Sequence, residues 1–177
     1  MTDNRTRLLV LLLAILAAAL LRLVPHPPNF TPIGAVALFS GAYLGRRWLA
    51  FAAPLGALLL SDLILGFYPE AMFVYVSVLA IVLLGRPLAR RRTVLWIGGA
   101  ALTSSLLFFL ATNFGVWLVM DYYPKNAAGL VACYVAAIPF FQNTLAGDLF
   151  FTALLFGGWA LAERAIPGLR EPRAQLA

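Results

Sequence analysis

The sequence predicts an all-α, polytopic membrane protein with six transmembrane helices and both termini on the cytoplasmic side. Three observations predict it. Of 177 residues, 63% are hydrophobic and only 11% are charged. A soluble domain has about 45–50% apolar and about 25% charged residues, and a fold of this size has too little interior to hide the excess, so lipid must cover it. Arginines come in clusters that alternate with apolar runs: Arg5 and Arg7 before the first, Arg46 and Arg47 after the second, Arg86, Arg90, Arg91 and Arg92 after the fourth, and Arg164, Arg170 and Arg173 after the last. The loops between the clusters are almost free of cations, and Lys125 is the only lysine. Cytoplasmic loops retain Lys and Arg whereas short translocated loops lose them. The clusters are therefore expected inside and the uncharged loops outside.

A span needs roughly 17–25 apolar residues. Residues 8–24 form the first, running outward. Its start resembles a signal peptide, but it continues to Arg22 and a proline-rich loop and more spans follow, so an uncleaved helix is expected. Pro25, Pro27, Pro28 and Pro32 make that outer loop rigid. Residues 33–44 return inward over only about 18 Å of helix, a partial or distorted span. Residues 48–67 run outward with a kink expected at Pro54. Pro69 and Glu70 mark a turn, and residues 71–85 lead back to the largest arginine cluster. Residues 93–120 run outward to a loop over residues 121–126. Residues 127–162 are too long for one span, and Pro139 is expected to divide them. That gives an outer surface helix over residues 128–137 and a sixth span over 140–163, all in one transmembrane domain, 1–177. Small residues four apart, Ala14 with Ala18, Gly41 with Gly45 and Ala52 with Gly56, mark expected close helix contacts. There is no internal repeat, which speaks against an inverted-repeat transporter.

Polar side chains in hydrocarbon are costly and tend to face a cavity or one another. On this topology they gather in the outer half: Arg22 near the end of the first helix, Asp62 in the third, Asn113 in the fifth, and Gln142, Asn143 and Asp148 in the sixth. An outward-facing pocket closed at its base would produce that asymmetry. Each residue also has a structural reading. Arg22 can bridge to Asp62 or snorkel to headgroups, Asp148 can serve a helix crossing, and Asn113 and Asn143 can make interhelical hydrogen bonds. The outer loops are rich in aromatics, among them Phe30, Trp117, Tyr122 and Tyr123. They make either an interfacial belt or a lid that stacks on a ring-containing ligand.

The net charge of +6 resides in loop arginines and is read as topology and contact with anionic lipid. No polar domain is present to carry nucleic-acid binding. Cys133 is the single cysteine and excludes an internal disulfide. His26 is the single histidine; a metal site needs several ligands, so His26 and Cys133 could serve a metal only as axial contacts to a metal-containing ligand. No resident metal or cofactor is expected.

The stretch from Pro25 to Gly34, PHPPNFTPIG, followed by Ala37–Tyr43, Ser61-Asp62, Asn113–Trp117 and Ala137–Phe141 with Asn143 and Asp148, resembles a family of small bacterial membrane proteins of unknown function described as transport proteins. The layout is more distantly similar to the substrate-binding S component of energy-coupling-factor (ECF) transporters, which take up vitamins and metal ions. That resemblance implies a bacterial inner-membrane location and six helices. It also implies a pocket near the outer face, roofed by the loops after helices one, three and five. Ala14 and Ala18 match the Ala-x-x-x-Ala contact through which such a subunit meets its transmembrane coupling partner. Pro139 and Asn143 match residues at the start of helix six. Energy would come from a separate ATPase, since this chain has no Gly-x-x-x-x-Gly-Lys-Ser/Thr phosphate loop.

The expected function is binding of a small molecule, a vitamin or cofactor precursor, for uptake. Asn29, Phe30, Thr31, Asp62, Asn113, Gln142, Asn143 and Asp148 would hold it, with Trp117, Tyr122 and Tyr123 stacking on it. Alternatives are a stand-alone transporter or a structural or assembly protein without ligand. An enzyme would draw on Asp62, Asp148 and His26, but no spacing matches a metal or nucleophile motif.

Overall fold

The computed structural model describes residues 2–44 and 48–170, the side chains of residues 2–4 excepted. Gly45, Arg46, Arg47 and Arg173 lie outside the described residues. Within them the chain is helical with no strand. The helices are α1 (Thr2–Leu20), α2 (Ile33–Tyr43), α3 (Leu49–Leu65), α4 (Ala71–Gly85), α5 (Val94–Val119), α6 (Ala127–Thr152) and α7 (Gly158–Ala165). A π turn, Ala153–Gly157, joins α6 to α7, so Ala127–Ala165 is one 39-residue rod. Four helical stretches are long and apolar enough to cross a membrane, and α2 and α3 are shorter apolar helices. Leu13, Ile64, Met72, Leu95 and Phe150 are among many large apolar side chains left exposed on the outside of the bundle.

The division expected at Pro139 does not occur, because α6 runs unbroken through it. A proline removes one N–H from the ladder and leaves the rest, and an apolar helix has no better way to pair its remaining backbone groups in lipid. No separate surface helix over 128–137 exists. The rod is about 58 Å long, well beyond a hydrocarbon thickness of about 30 Å.

Pro54 in α3 has a specific compensation. It cannot donate to the carbonyl of Ala50 four residues back. Ser40 Oγ of α2 donates to that carbonyl at 2.8 Å, with both residues fully buried.

Helix α2 is the centre of the bundle. It touches α1, α3, α4, α5 and α6, and every residue from Gly34 to Tyr43 is buried. A helix that is apolar all round belongs inside. Its closest neighbour is α4. A Cβ added to Gly41 would lie 2.1 Å from the Val82 carbonyl oxygen, and one added to Gly85 would lie 2.3 Å from that of Leu38. The two glycines let the backbones touch. Gly56 meets open space, so the contact expected from Ala52 and Gly56 is not made by that glycine. At about 17 Å, α2 spans only part of the bundle, and room remains beyond its amino end.

Candidate functional site: a cavity beyond the amino end of the central helix

A cavity of about 290 Å³ occupies that room. It lies at the end of the bundle opposite the arginine clusters. Its wall comes from six parts of the chain. Arg22 stands just after α1, and Asn29 and Thr31 come from the loop before α2. Ile33 and Gly34 open α2. Tyr68 and Glu70 come from the loop between α3 and α4, with Val74 on α4. Phe108, Thr112, Asn113 and Val116 lie on α5, and Thr144 and Asp148 on α6.

The proline-rich loop is built as a type II turn. Phe30 N donates to Pro27 O at 3.0 Å, Pro28 occupies the position that favours proline, and Asn29 takes a positive φ of 64°. Asparagine tolerates that conformation better than residues other than glycine. The turn is tied to α6, where Asn143 Nδ2 donates to Pro28 O at 2.9 Å. Phe30 stacks on Phe150 and Phe151, and the loop backbone at Phe30 and Thr31 passes close over Gly147. The rim of the cavity is thus preformed.

Arg22 is held from behind. Its Nη1 donates to Ser61 Oγ and lies 2.5 Å from Asp62 Oδ1. Asp62 is fully buried and also accepts from Tyr75 Oη at 3.0 Å. The bridge between Arg22 and Asp62 is therefore present, and Asp62 supports the wall without belonging to it. Tyr68 sits over this pair. Burial, and then the Asp62 carboxylate, pushes its phenol above the usual range.

Asp148 is almost wholly buried. Its Oδ2 accepts from Ser105 Oγ at 2.7 Å. The carboxylate lies so close to α2 that a Cβ on Gly34 would fall 2.3 Å from Oδ1, so position 34 has no room for a side chain. Three neutral polar residues on the helical part of the wall each have a donor engaged on their own helix. Thr112 donates to Phe108 O at 2.8 Å, Thr144 to Phe140 O at 3.3 Å, and Asn113 Nδ2 to Phe109 O at 2.8 Å. What they turn elsewhere is mainly acceptor capacity.

Of the side chains expected to form a site, Asn29, Thr31, Asn113 and Asp148 come together here. Asp62, Asn143 and Phe30 act one layer back. Trp117, Tyr122, Tyr123 and Gln142 lie off the wall. Trp117 Nε1 donates to Pro124 O at 3.0 Å, and Tyr122 and Gln142 are exposed. Lys125 caps α5 by donating to the carbonyls of Trp117, at 2.5 Å, and Met120, a place where a cation opposes the helix dipole. His26 is exposed with Nδ1 2.9 Å from Pro27 O, and Cys133 is buried with its thiol donating to Asn113 O at 3.4 Å. Neither lines the cavity, and no cluster of metal-ligating side chains occurs among the described residues. Ala18 is buried against the rest of the bundle, on the face that also carries Leu11 and Ile15. It packs internally, and Ala14 beside it is half-buried.

Arg22, Tyr68, Glu70, Thr112 and Thr144 joined the wall without being expected there. Threonines in an apolar helix carry no signal by themselves, and Glu70 reads as part of a turn.

Fold and cavity together define an all-α membrane-type bundle with a polar chamber among the described residues. Residues 2–169 match the model of DUF6580, a family of unknown function, and the chain belongs to that family. No curated protein and no solved structure matches it.

Proposed function

We propose that this protein binds a small molecule in the chamber beyond α2 and serves its uptake across the bacterial inner membrane. Both termini would be cytoplasmic and the chamber would face outward. The observation that carries the reading is a preformed polar cavity in an otherwise apolar bundle, walled by loops and helix ends remote from the arginine clusters. Its volume is near the lower bound of about 300 Å³ for small-molecule sites, and an apolar cavity of about 150 Å³ already holds benzene. A one- or two-ring vitamin or cofactor precursor is the size supported. The role assigned to the cavity is binding, not turnover. Energy would come from a separate ATPase and coupling subunit of the ECF type, since the sequence has no phosphate loop. One observation favours a stand-alone transporter instead: Ala18, half of the expected coupling contact, is buried.

Native mass spectrometry of gently purified protein tests the reading. A small molecule should accompany the wild-type chain and be lost from Thr112→Trp, which fills the cavity. A wild-type chain with no bound mass, or a bound mass that survives in the variant, would contradict it.

A further inference from the structure

We infer that the ligand is a small organic cation, an amine or protonated ring nitrogen, held by Asp148 and Glu70. The inference rests on reading the chamber as a ligand site, and its argument is charge and hydrogen-bond inventory. Arg22 is the only cation on the wall among the described residues, and Asp62 at 2.5 Å already neutralises it. The amino end of α2 adds roughly half a positive charge. Against these stand the carboxylates of Asp148 and Glu70, for which no ion pair forms among the described residues. Asp148 receives one neutral hydrogen bond, from Ser105. Glu70 Oε2 is buried without any hydrogen-bond partner. A carboxylate out of water and unpaired is costly, and a bound cation would relieve both. Three neutral side chains on the helical wall point the same way. Thr112 and Thr144 spend their only donors, and Asn113 one of its two, on their own helices, and their acceptors remain for a guest. A donor-rich, positively charged group complements such a wall, whereas a carboxylate or phosphate would face two like charges.

The test uses the purified full chain and three probes with one ring system: tryptamine, tryptophol and indole-3-acetate. Isothermal titration should find tryptamine bound about tenfold or more tighter than tryptophol, with indole-3-acetate weakest. Glu70→Gln and Asp148→Asn should each erase most of that preference while tryptophol changes little. Glu70→Gln, on the loop, keeps the test open if Asp148→Asn fails to fold. Thr112→Trp should abolish binding of every probe. Equal binding of the three, or preference for indole-3-acetate, abolished by Thr112→Trp, would overturn the cation and leave the chamber as a site. Binding indifferent to Thr112→Trp, or no binding by any probe, would overturn both.

Discussion

The two ends of the bundle use the same kinds of side chain to opposite effect. At the arginine-rich end, Arg7, Glu163 and a group of aromatic rings pack on one another. Arg7 is buried, donates to Leu169 O at 3.0 Å and faces Glu163 at 3.8 Å. Glu163 also accepts from Trp159 Nε1 at 2.8 Å. Phe39, Tyr43, Phe156 and Trp159 close the centre, with Phe156 and Trp159 edge to face on Phe39 and Trp159 edge to face on Tyr43, and Arg92 lies 4.3 Å over the Tyr43 ring. At the other end, Arg22 is anchored but Glu70 and Asp148 are not paired with a cation, and a cavity stands between them. What separates the ends is the length of α2. Its carboxyl end fills one half of the bundle with Phe39 and Tyr43, and its amino end stops at Ile33 and leaves space. A shortened central helix is a direct way to make a chamber without a gap in the surrounding helices.

The largest effect should come from breaking the anchor at the open end. Asp62→Asn leaves the Arg22 guanidinium without its counter-charge, and the protein should lose about 3–5 kcal/mol in thermal unfolding. Replacing both partners, Arg22→Met with Asp62→Leu, should restore most of the stability and still impair the cavity. Next is the contact that holds α2 in place. Gly41→Ala drives a methyl into the Val82 carbonyl and should cost about 1–3 kcal/mol. Gly56→Ala, which meets open space, should be neutral or stabilising by up to about 1 kcal/mol; equal melting temperatures for the two would refute the close approach. Asn29 separates fold from site. Asn29→Ala in a left-handed turn should cost about 1–2 kcal/mol, Asn29→Gly should cost almost nothing, and both should weaken ligand retention in native mass spectra. The mildest of the disruptive changes should be Ser40→Ala, which orphans the Ala50 carbonyl opposite Pro54 and should cost about 1 kcal/mol by the same melting assay.

The helical class, the approximate position of α1 to α5 and the gathering of polar residues at one end were legible because apolar runs and arginine clusters mark them strongly. Asn113 and Asp148 stood out because amide and carboxylate groups are rare in such helices. Other features depended on packing that no local pattern encodes. Pro139 reads as a break, but nothing in the sequence tells whether the ladder on either side can persist. Ala14 and Ala18 signal a close contact, and only the bundle decides that Ala18 faces inward. Trp117 and Tyr122 read as a stacking lid because aromatic loops look alike whether they face a ligand or lie at the surface. Thr112 and Thr144 were invisible for the opposite reason, since threonine is unremarkable on an apolar helix.

Among the described residues, one end of the bundle opens into a chamber and the other is closely packed. Thiol accessibility tests it most directly, with Thr112→Cys and Ala42→Cys placed separately in a Cys133→Ala background and intact cells treated with a membrane-impermeant maleimide. Thr112→Cys should react from outside, and Ala42→Cys, packed beside Tyr43, should react from neither side. A Thr112→Cys protein that labels only in inverted vesicles, or an Ala42→Cys protein that labels as fast, would contradict it.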